Sequence, residues 1–157
     1  MVIFISGSIN SGKTTTAKAL AKKLGAEFID IDDLKDRITN FDLAKDIPKV
    51  IALAIDDINK LTNAGQSVVV SYPIGAKDYK QITEGLHDKK PLFITLAPRL
   101  EVAQSKRGDR ELTEWEVARI KHHYDTGIAT PAFGEVIDNS DLSVDETVTA
   151  IERLISQ

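Results

Sequence analysis

The chain alternates between short apolar runs and longer stretches whose apolar positions recur every three or four residues. Val2-Ile3-Phe4-Ile5 is apolar throughout, which predicts a first strand over 2–6, buried on both faces of a parallel sheet. Ala17, Leu20, Ala21 and Leu24 then form one helical stripe, closed by Gly25 as a C-terminal cap. Ala26–Ile29 reads as a second strand that runs into Asp30-Ile31-Asp32-Asp33. A helix is expected to start there with Asp32 as its N-cap. Residues 34–47 show only short helical pieces around Asn40-Phe41. Pro48 suits the first turn of the next helix, whose stripe is Ile51, Ala54, Ile55, Ile58 and Leu61 and whose end is Asn63-Ala64-Gly65. Ser67–Ser71 is a β-branched third strand, and Pro73 takes the chain out of the sheet. Residues 77–88 read as helix and Pro91–Leu96 as the fourth strand. Thr113-x-x-Glu116 and Ser143-x-x-Glu146 are capping boxes that open helices over about 113–124 and 143–156. A short fifth strand falls within Phe133–Asp138. Strands alternating with helices predict an α/β fold, a mainly parallel sheet covered on both faces, in a single domain over 1–157.

The turn between the first strand and the first helix carries the chemistry. It reads Gly7-Ser8-Ile9-Asn10-Ser11-Gly12-Lys13-Thr14, the G-x-x-x-x-G-K-T pattern in its strand-to-helix context. Gly7 and Gly12 let the backbone point its N–H groups inward as a nest for phosphate oxygens. The helix N-terminus adds unpaired N–H groups and positive potential. Lys13 reaches the β- and γ-phosphates, and the Thr14 hydroxyl suits Mg²⁺. The nucleotide-binding set is therefore Gly7, Asn10, Ser11, Gly12, Lys13, Thr14 and Thr15, with ATP and Mg²⁺ as the implied ligands.

In parallel sheets ligands bind beyond the carboxyl ends of the strands, so the loops after strands one to four share a rim. The third strand ends Val70-Ser71-Tyr72 and offers no acid for the metal. The acids on the rim are Asp30 and Asp32. Asp30 is assigned to the metal through a bound water. Asp32 either orients an acceptor hydroxyl or only caps the helix. Arg99, Lys106, Arg107 and Arg110 surround Gly108 in a basic segment over about 99–113, which reads as a lid. Arg107 and Arg110 are its candidates for transition-state charge. Arg119 is a candidate for phosphate or substrate. Arg37 is a candidate for an anionic substrate group, against a solvated helix position. His122-His123 reads as a surface pair, Trp115 as a packing anchor and His87 as solvated. Asp138–Asp141 lies where an adenine ring can rest, and its turn-forming composition explains it equally well.

Composition narrows the classes. Hydrophobic residues at 42% and charged residues at 28% are ordinary for a soluble globular chain. A net charge of −4 gives no electrostatic case for nucleic acid or an anionic membrane. The absence of cysteine removes disulfides, thiolate catalysis and Cys-ligated zinc, and fits a reducing cytosol. The first apolar run is too short for a signal-peptide core, so a cytoplasmic location is expected.

These motifs resemble the small P-loop kinases, the group holding shikimate kinase and the nucleoside monophosphate kinases. The residues that carry the resemblance are Gly7–Thr14, the strand-two exit Phe28-Ile29-Asp30-Ile31-Asp32, the lid with Arg107 and Arg110, and the helix with Arg119 and Tyr124. The resemblance implies a three-layer fold with a five-stranded parallel sheet in the order 2-3-1-4-5 and a lid. It also implies an ATP- and Mg²⁺-dependent phosphotransferase acting on a small-molecule hydroxyl, with Asp30 serving the metal and Asp32 the acceptor. The chain has Ser71-Tyr72-Pro73-Ile74-Gly75 where shikimate kinases carry a glycine run, and Arg110-Glu111-Leu112-Thr113 where they carry Arg-Pro-Leu-Leu. The acceptor is thus left open. A nucleoside or nucleotide kinase is one alternative, and a nucleotide-binding switch without an acceptor is another.

Overall fold

Successive residues of a strand point to opposite faces of a sheet, and β1 (Val2–Gly7) divides its side chains between two cores accordingly. Val2 and Phe4 join Val68, Val70 and Phe93 on one side. Ile3 and Ile5 join Val69, Ile94 and Leu96 on the other. The computed structural model describes residues 1–88 and 90–157. After β1 come α1 (Lys13–Leu24), β2 (Glu27–Asp30), a 3₁₀ segment (Ile31–Arg37) and α2 (Ile47–Asn63). β3 (Val68–Ser71), α3 (Ala76–Gly85), β4 (Leu92–Leu96) and α4 (Leu100–Ala103) follow. The chain closes with α5 (Glu114–Asp125), β5 (Glu135–Ile137) and α6 (Val144–Ile155).

The five strands form one sheet in the order β2-β3-β1-β4-β5, and every pairing is parallel. The stripe Val50, Ile51, Ala54 and Ile58 seats α2 on one face, where Ile82 seats α3. Ala17, Leu20 and Ala21 of α1 and Val148 and Ile151 of α6 cover the other. The result is the expected three-layer arrangement. Phe4 and Phe93 lie opposite one another on β1 and β4, and their rings stack at 4.8 Å. The strand registers place the site: Ser71 pairs with both Ile5 and Asp30, so the ends of β1, β2 and β3 lie side by side.

Local signals explain the boundaries. Gly25 ends α1 with φ 62, and its N–H donates to the carbonyls of Ala21 and Lys22. Both capping boxes form: Thr113 and Ser143 each accept from the backbone N–H three residues on, at 3.1 Å. The expected N-cap at Asp32 is corrected. The helical piece starts one residue after Asp30, whose carboxylate accepts from the Asp32 N–H at 3.0 Å. An Asx cap acts two residues ahead, so the first acid of the pair does the capping. The helical pieces expected around Asn40-Phe41 are turn instead, with Asn40 at φ 53. β5 comes so close to β4 that a Cβ on Gly134 (φ 67) would collide with the Phe93 carbonyl oxygen. Among the described residues no helix is long and apolar enough to cross a membrane.

Candidate active site

The loop between β1 and α1 is held open from below by two glycines. At Gly7 (φ 149) a Cβ would collide with the Ser11 hydroxyl and lie 2.7 Å from the Leu96 carbonyl oxygen. Gly12, at φ 86, turns the chain into α1, whose first turn has no side-chain cap. Its N–H groups and dipole are thereby left for an anion. Lys13 folds along the loop and donates to the Ser8 carbonyl at 3.1 Å. Burial lowers the Lys13 pKa, opposed by the charges of Asp32 and Asp30.

Beside Lys13, three oxygens converge. The Thr14 hydroxyl donates to Asp30 Oδ2 at 3.3 Å and lies 3.1 Å from the Ser71 hydroxyl. Burial raises the Asp30 pKa, and the Asp32 N–H opposes the shift. Two hydroxyls and one carboxylate form a hard, all-oxygen donor set. Such a set fits Mg²⁺, which takes few protein ligands and completes its shell with water and phosphate oxygens.

Two adjoining cavities meet at the loop. One, of about 430 Å³, is bounded by Gly12, Thr15, Arg107, Gly108 and Val144. The other, of about 670 Å³, takes in Asp32, Lys35, Tyr72, Asp78, Arg119 and His123. Asn10, Lys13, Thr14 and Arg110 line both. Asp32 stands exposed in the larger one and accepts an ion pair from Lys35. Burial raises the pKa of Asp78, opposed by the Gly75 N–H that it caps. Arg119, half-buried in the wall, has no carboxylate partner among the described residues.

The basic segment is rooted on the loop. The Asn10 side chain donates to the carbonyls of Ala103 and Ser105, both at 2.8 Å, and Arg107 donates back to the Asn10 carbonyl at 3.1 Å. Arg107 and Arg110 are bridged across a tight turn at Gly108 (φ 71). Arg110 pairs with Glu116 on α5. Arg99 is engaged elsewhere, on Asp141 at 3.0 Å. The turn that contains Asp141 is tied to the loop by Asn139, which donates to the Ser11 carbonyl at 2.9 Å.

The shikimate kinase family model matches residues 9–51. No curated protein matches the sequence. Solved structures match over nearly the whole chain. An unliganded sugar kinase from a Janibacter species superposes with a TM-score of 0.75 at 18% identity, covering 98% of this chain and 93% of that one. The APS kinase of Mycobacterium tuberculosis, in complex with AMPPNP and APS, gives 0.73 at 17% identity, covering 99% and 97%. Shikimate kinase from Acinetobacter baumannii, in complex with shikimate, gives 0.69 at 16% identity, covering 98% and 92%. The chain has the small P-loop kinase fold.

Within this P-loop kinase fold, most candidates named from the sequence come together. Lys13, Thr14, Thr15, Asp32, Arg107, Arg110 and Arg119 line the two cavities, and Asp30 lies against Thr14. Arg37 does not join them. It is exposed and pairs with Asp57 of α2 at 2.8 Å. His123 is no surface residue: it is 3% exposed, and its Nδ1 lies 3.1 Å from the Ser8 hydroxyl of the loop. Burial, aided by the charges of Arg119 and Lys13, lowers its pKa to about 4. Trp115 is no packing anchor either, being 62% exposed at the larger cavity. Ser71 escapes a reading that looks for an acid at the end of β3. A strand-terminal hydroxyl beside a P-loop threonine is the signal that marks it.

Proposed function

We propose that the chain is a Mg²⁺-ATP-dependent kinase that transfers the γ-phosphoryl group to a hydroxyl of a small metabolite. The observation that carries this reading is the pair of cavities meeting at Lys13, Thr14 and Arg110. A donor in one and an acceptor in the other would face each other across those groups. A switch that only binds nucleotide has no use for the second cavity or for the acid inside it.

The smaller cavity takes the nucleotide, with its phosphates in the loop. Lys13 and the loop amides hold the β- and γ-phosphates, and Arg107 and Arg110 approach from the lid. Thr14, with Asp30 and Ser71 behind it, would hold Mg²⁺, which would supply positive charge beside the phosphates. Asp32 accepts the hydrogen bond of the acceptor hydroxyl and orients its oxygen. A bond forms from that oxygen to the γ-phosphorus as the bond from phosphorus to the β,γ-bridging oxygen breaks. ADP leaves, and the hydroxyl proton passes to Asp32 and then to solvent. Lys13 and Arg110 stabilise the charge spread over the moving phosphoryl oxygens. Arg119 is available to an anionic or strongly accepting group on the acceptor. The reaction gains most from positioning and electrostatics.

The test is transfer from γ-labelled ATP, with Mg²⁺, to pooled hydroxyl compounds, nucleosides and nucleotides included, beside a water-only control. A labelled organic product is expected. Label released only as inorganic phosphate would leave a nucleotide-dependent switch as the better account. Asp32→Asn should lower kcat by roughly 10²–10⁴-fold and leave ATP affinity within about threefold. Unchanged turnover in that variant would remove Asp32 from the mechanism.

A further inference from the structure

The larger cavity carries uncovered apolar surface. Among the described residues only five large hydrophobic side chains stand exposed, and two of them, Trp115 at 62% and Leu43 at 51%, border that cavity. Ile9, Ile47, Tyr72 and Ile128 add to the same lining. They come from separate places in the chain: the phosphate loop, the segment before α2, the start of α2, the end of β3, the first turn of α5 and the loop after α5. Convergence from so many segments is not a local accident of one amphipathic helix. Trp115 is also poorly placed to stabilise the fold, since most of its ring lies in water.

The chemistry of such a wall selects its ligand. The cavity is mixed: beside these apolar side chains it is lined by Asp32, Lys35, Asp78, Glu116, Arg119 and His123, so a ligand there is held by its apolar surface and oriented by several polar groups. A hydroxyl turned towards Leu43, Ile47 or Ile9 would lose water without gaining a partner from those side chains. A sugar has one apolar face for Trp115, but a belt of hydroxyls around it. A flat apolar ring suits such side chains and can stack on the indole. Asp32, exposed in the same cavity, then addresses a hydroxyl at the ring or on a short arm beside it.

We propose that the phosphoryl acceptor is a hydroxylated aromatic compound seated against Trp115, rather than a sugar or an open polyol. This rests on the kinase reading of the same site. The transfer is the one already written, with the aromatic compound's O–H as the nucleophile, its O–P bond formed, the bond to the bridging oxygen broken, ADP released and the proton taken through Asp32.

Trp115 is the only tryptophan in the chain, so its emission reports on this cavity alone. The protein, saturated with AMPPNP and Mg²⁺, is titrated with two pools, and each pool is also offered γ-labelled ATP. One holds aromatic alcohols and phenols such as 3-phenylpropane-1,2-diol. The other holds glucose, gluconate, sorbitol and shikimate. A saturable blue shift and labelled product with the aromatic pool are expected. Trp115→Ala should raise the KM for the aromatic acceptor by about tenfold or more, and Trp115→Phe should recover most of that loss, because the ring is the contact. Saturation and transfer confined to the second pool, or a KM untouched in Trp115→Ala, would overturn the inference and leave the kinase reading standing. Saturable aromatic binding without transfer to either pool, or to the nucleosides and nucleotides of the wider test, would support the ring site and overturn the kinase reading. An unresponsive Trp115 and no transfer to any of these compounds would overturn both.

Discussion

His123 links α5 to the phosphate loop through Ser8, and it does so as a neutral ring. Its folded-state pKa of about 4 lies below the ordinary histidine value, so between those two pH values the unfolded chain binds a proton that the folded chain does not. Stability from this group is therefore complete above about pH 6.5 and is lost progressively as pH falls towards 4. The ceiling is about 3 kcal/mol, and solvent in the cavity screens it to less. His123→Gln should show a smaller drop in Tm between pH 7 and pH 4.5 than the wild type does. Parallel curves for the two proteins would rule the group out. Neutrality also suits the place, since a third cation beside Lys13 and Arg119 would repel both. Nothing local in the sequence marks His123 apart from exposed His122. Its burial depends on Ser8, 115 positions away, and only the packing of α5 reveals it.

At the scale of elements, β5 is the shortest strand, with three residues at the edge of the sheet. It is held by the close approach of Gly134 to Phe93 and by the ring pair of Tyr79 and Phe133, 4.0 Å apart. Gly134→Ala would push a methyl group into a backbone carbonyl at a positive φ. It should destabilise the protein by more than about 2 kcal/mol in urea unfolding, well beyond the usual cost of a surface change. A loss under about 0.5 kcal/mol would mean that β5 can shift without penalty. The capping boxes show what local sequence reads well: a side chain and a backbone N–H three residues apart need no tertiary partner, and both helices begin where Thr113 and Ser143 place them. The Asp30–Asp33 turn shows the reverse. Three acids at the start of one segment can all cap, and strand register decided for Asp30 by aligning it with Ser71.

For the molecule as a whole, periodicity and the glycine-bounded loop were enough for the layers, and the resemblance supplied the strand order. The acceptor side was less legible. Its walls come from segments spread along the chain, from the phosphate loop to the loop after α5, and whether Trp115 packs or projects, or whether Arg37 faces the cavity or Asp57, is settled by helix orientation rather than by spacing. The nucleotide should couple to global stability. Saturation with AMPPNP and Mg²⁺ at about 100 times Kd adds about 2.7 kcal/mol, or several degrees in Tm for a chain of this size. Thr14→Ala should remove the part of that shift that needs Mg²⁺ and retain the rest. An equal shift with EDTA present, in the wild type, would exclude metal-assisted binding at Thr14, Asp30 and Ser71.

The double hydrogen bond from Asn10 to the root of the lid bears on how each turnover ends. On the kinase reading, the loop that holds ATP would hold ADP by the same β-phosphate, and the lid is latched to that loop through Asn10. We expect departure of the spent nucleotide to require that this latch open, so that escape, not chemistry, is the slow event. Rapid-quench experiments should then show a burst of phosphorylated acceptor in the first cycle. Asn10→Gly keeps the backbone at its positive φ and removes the latch. It should shrink the burst and raise kcat while weakening ATP. The residue that steadies the site for the incoming nucleotide is thereby the one that delays the outgoing one.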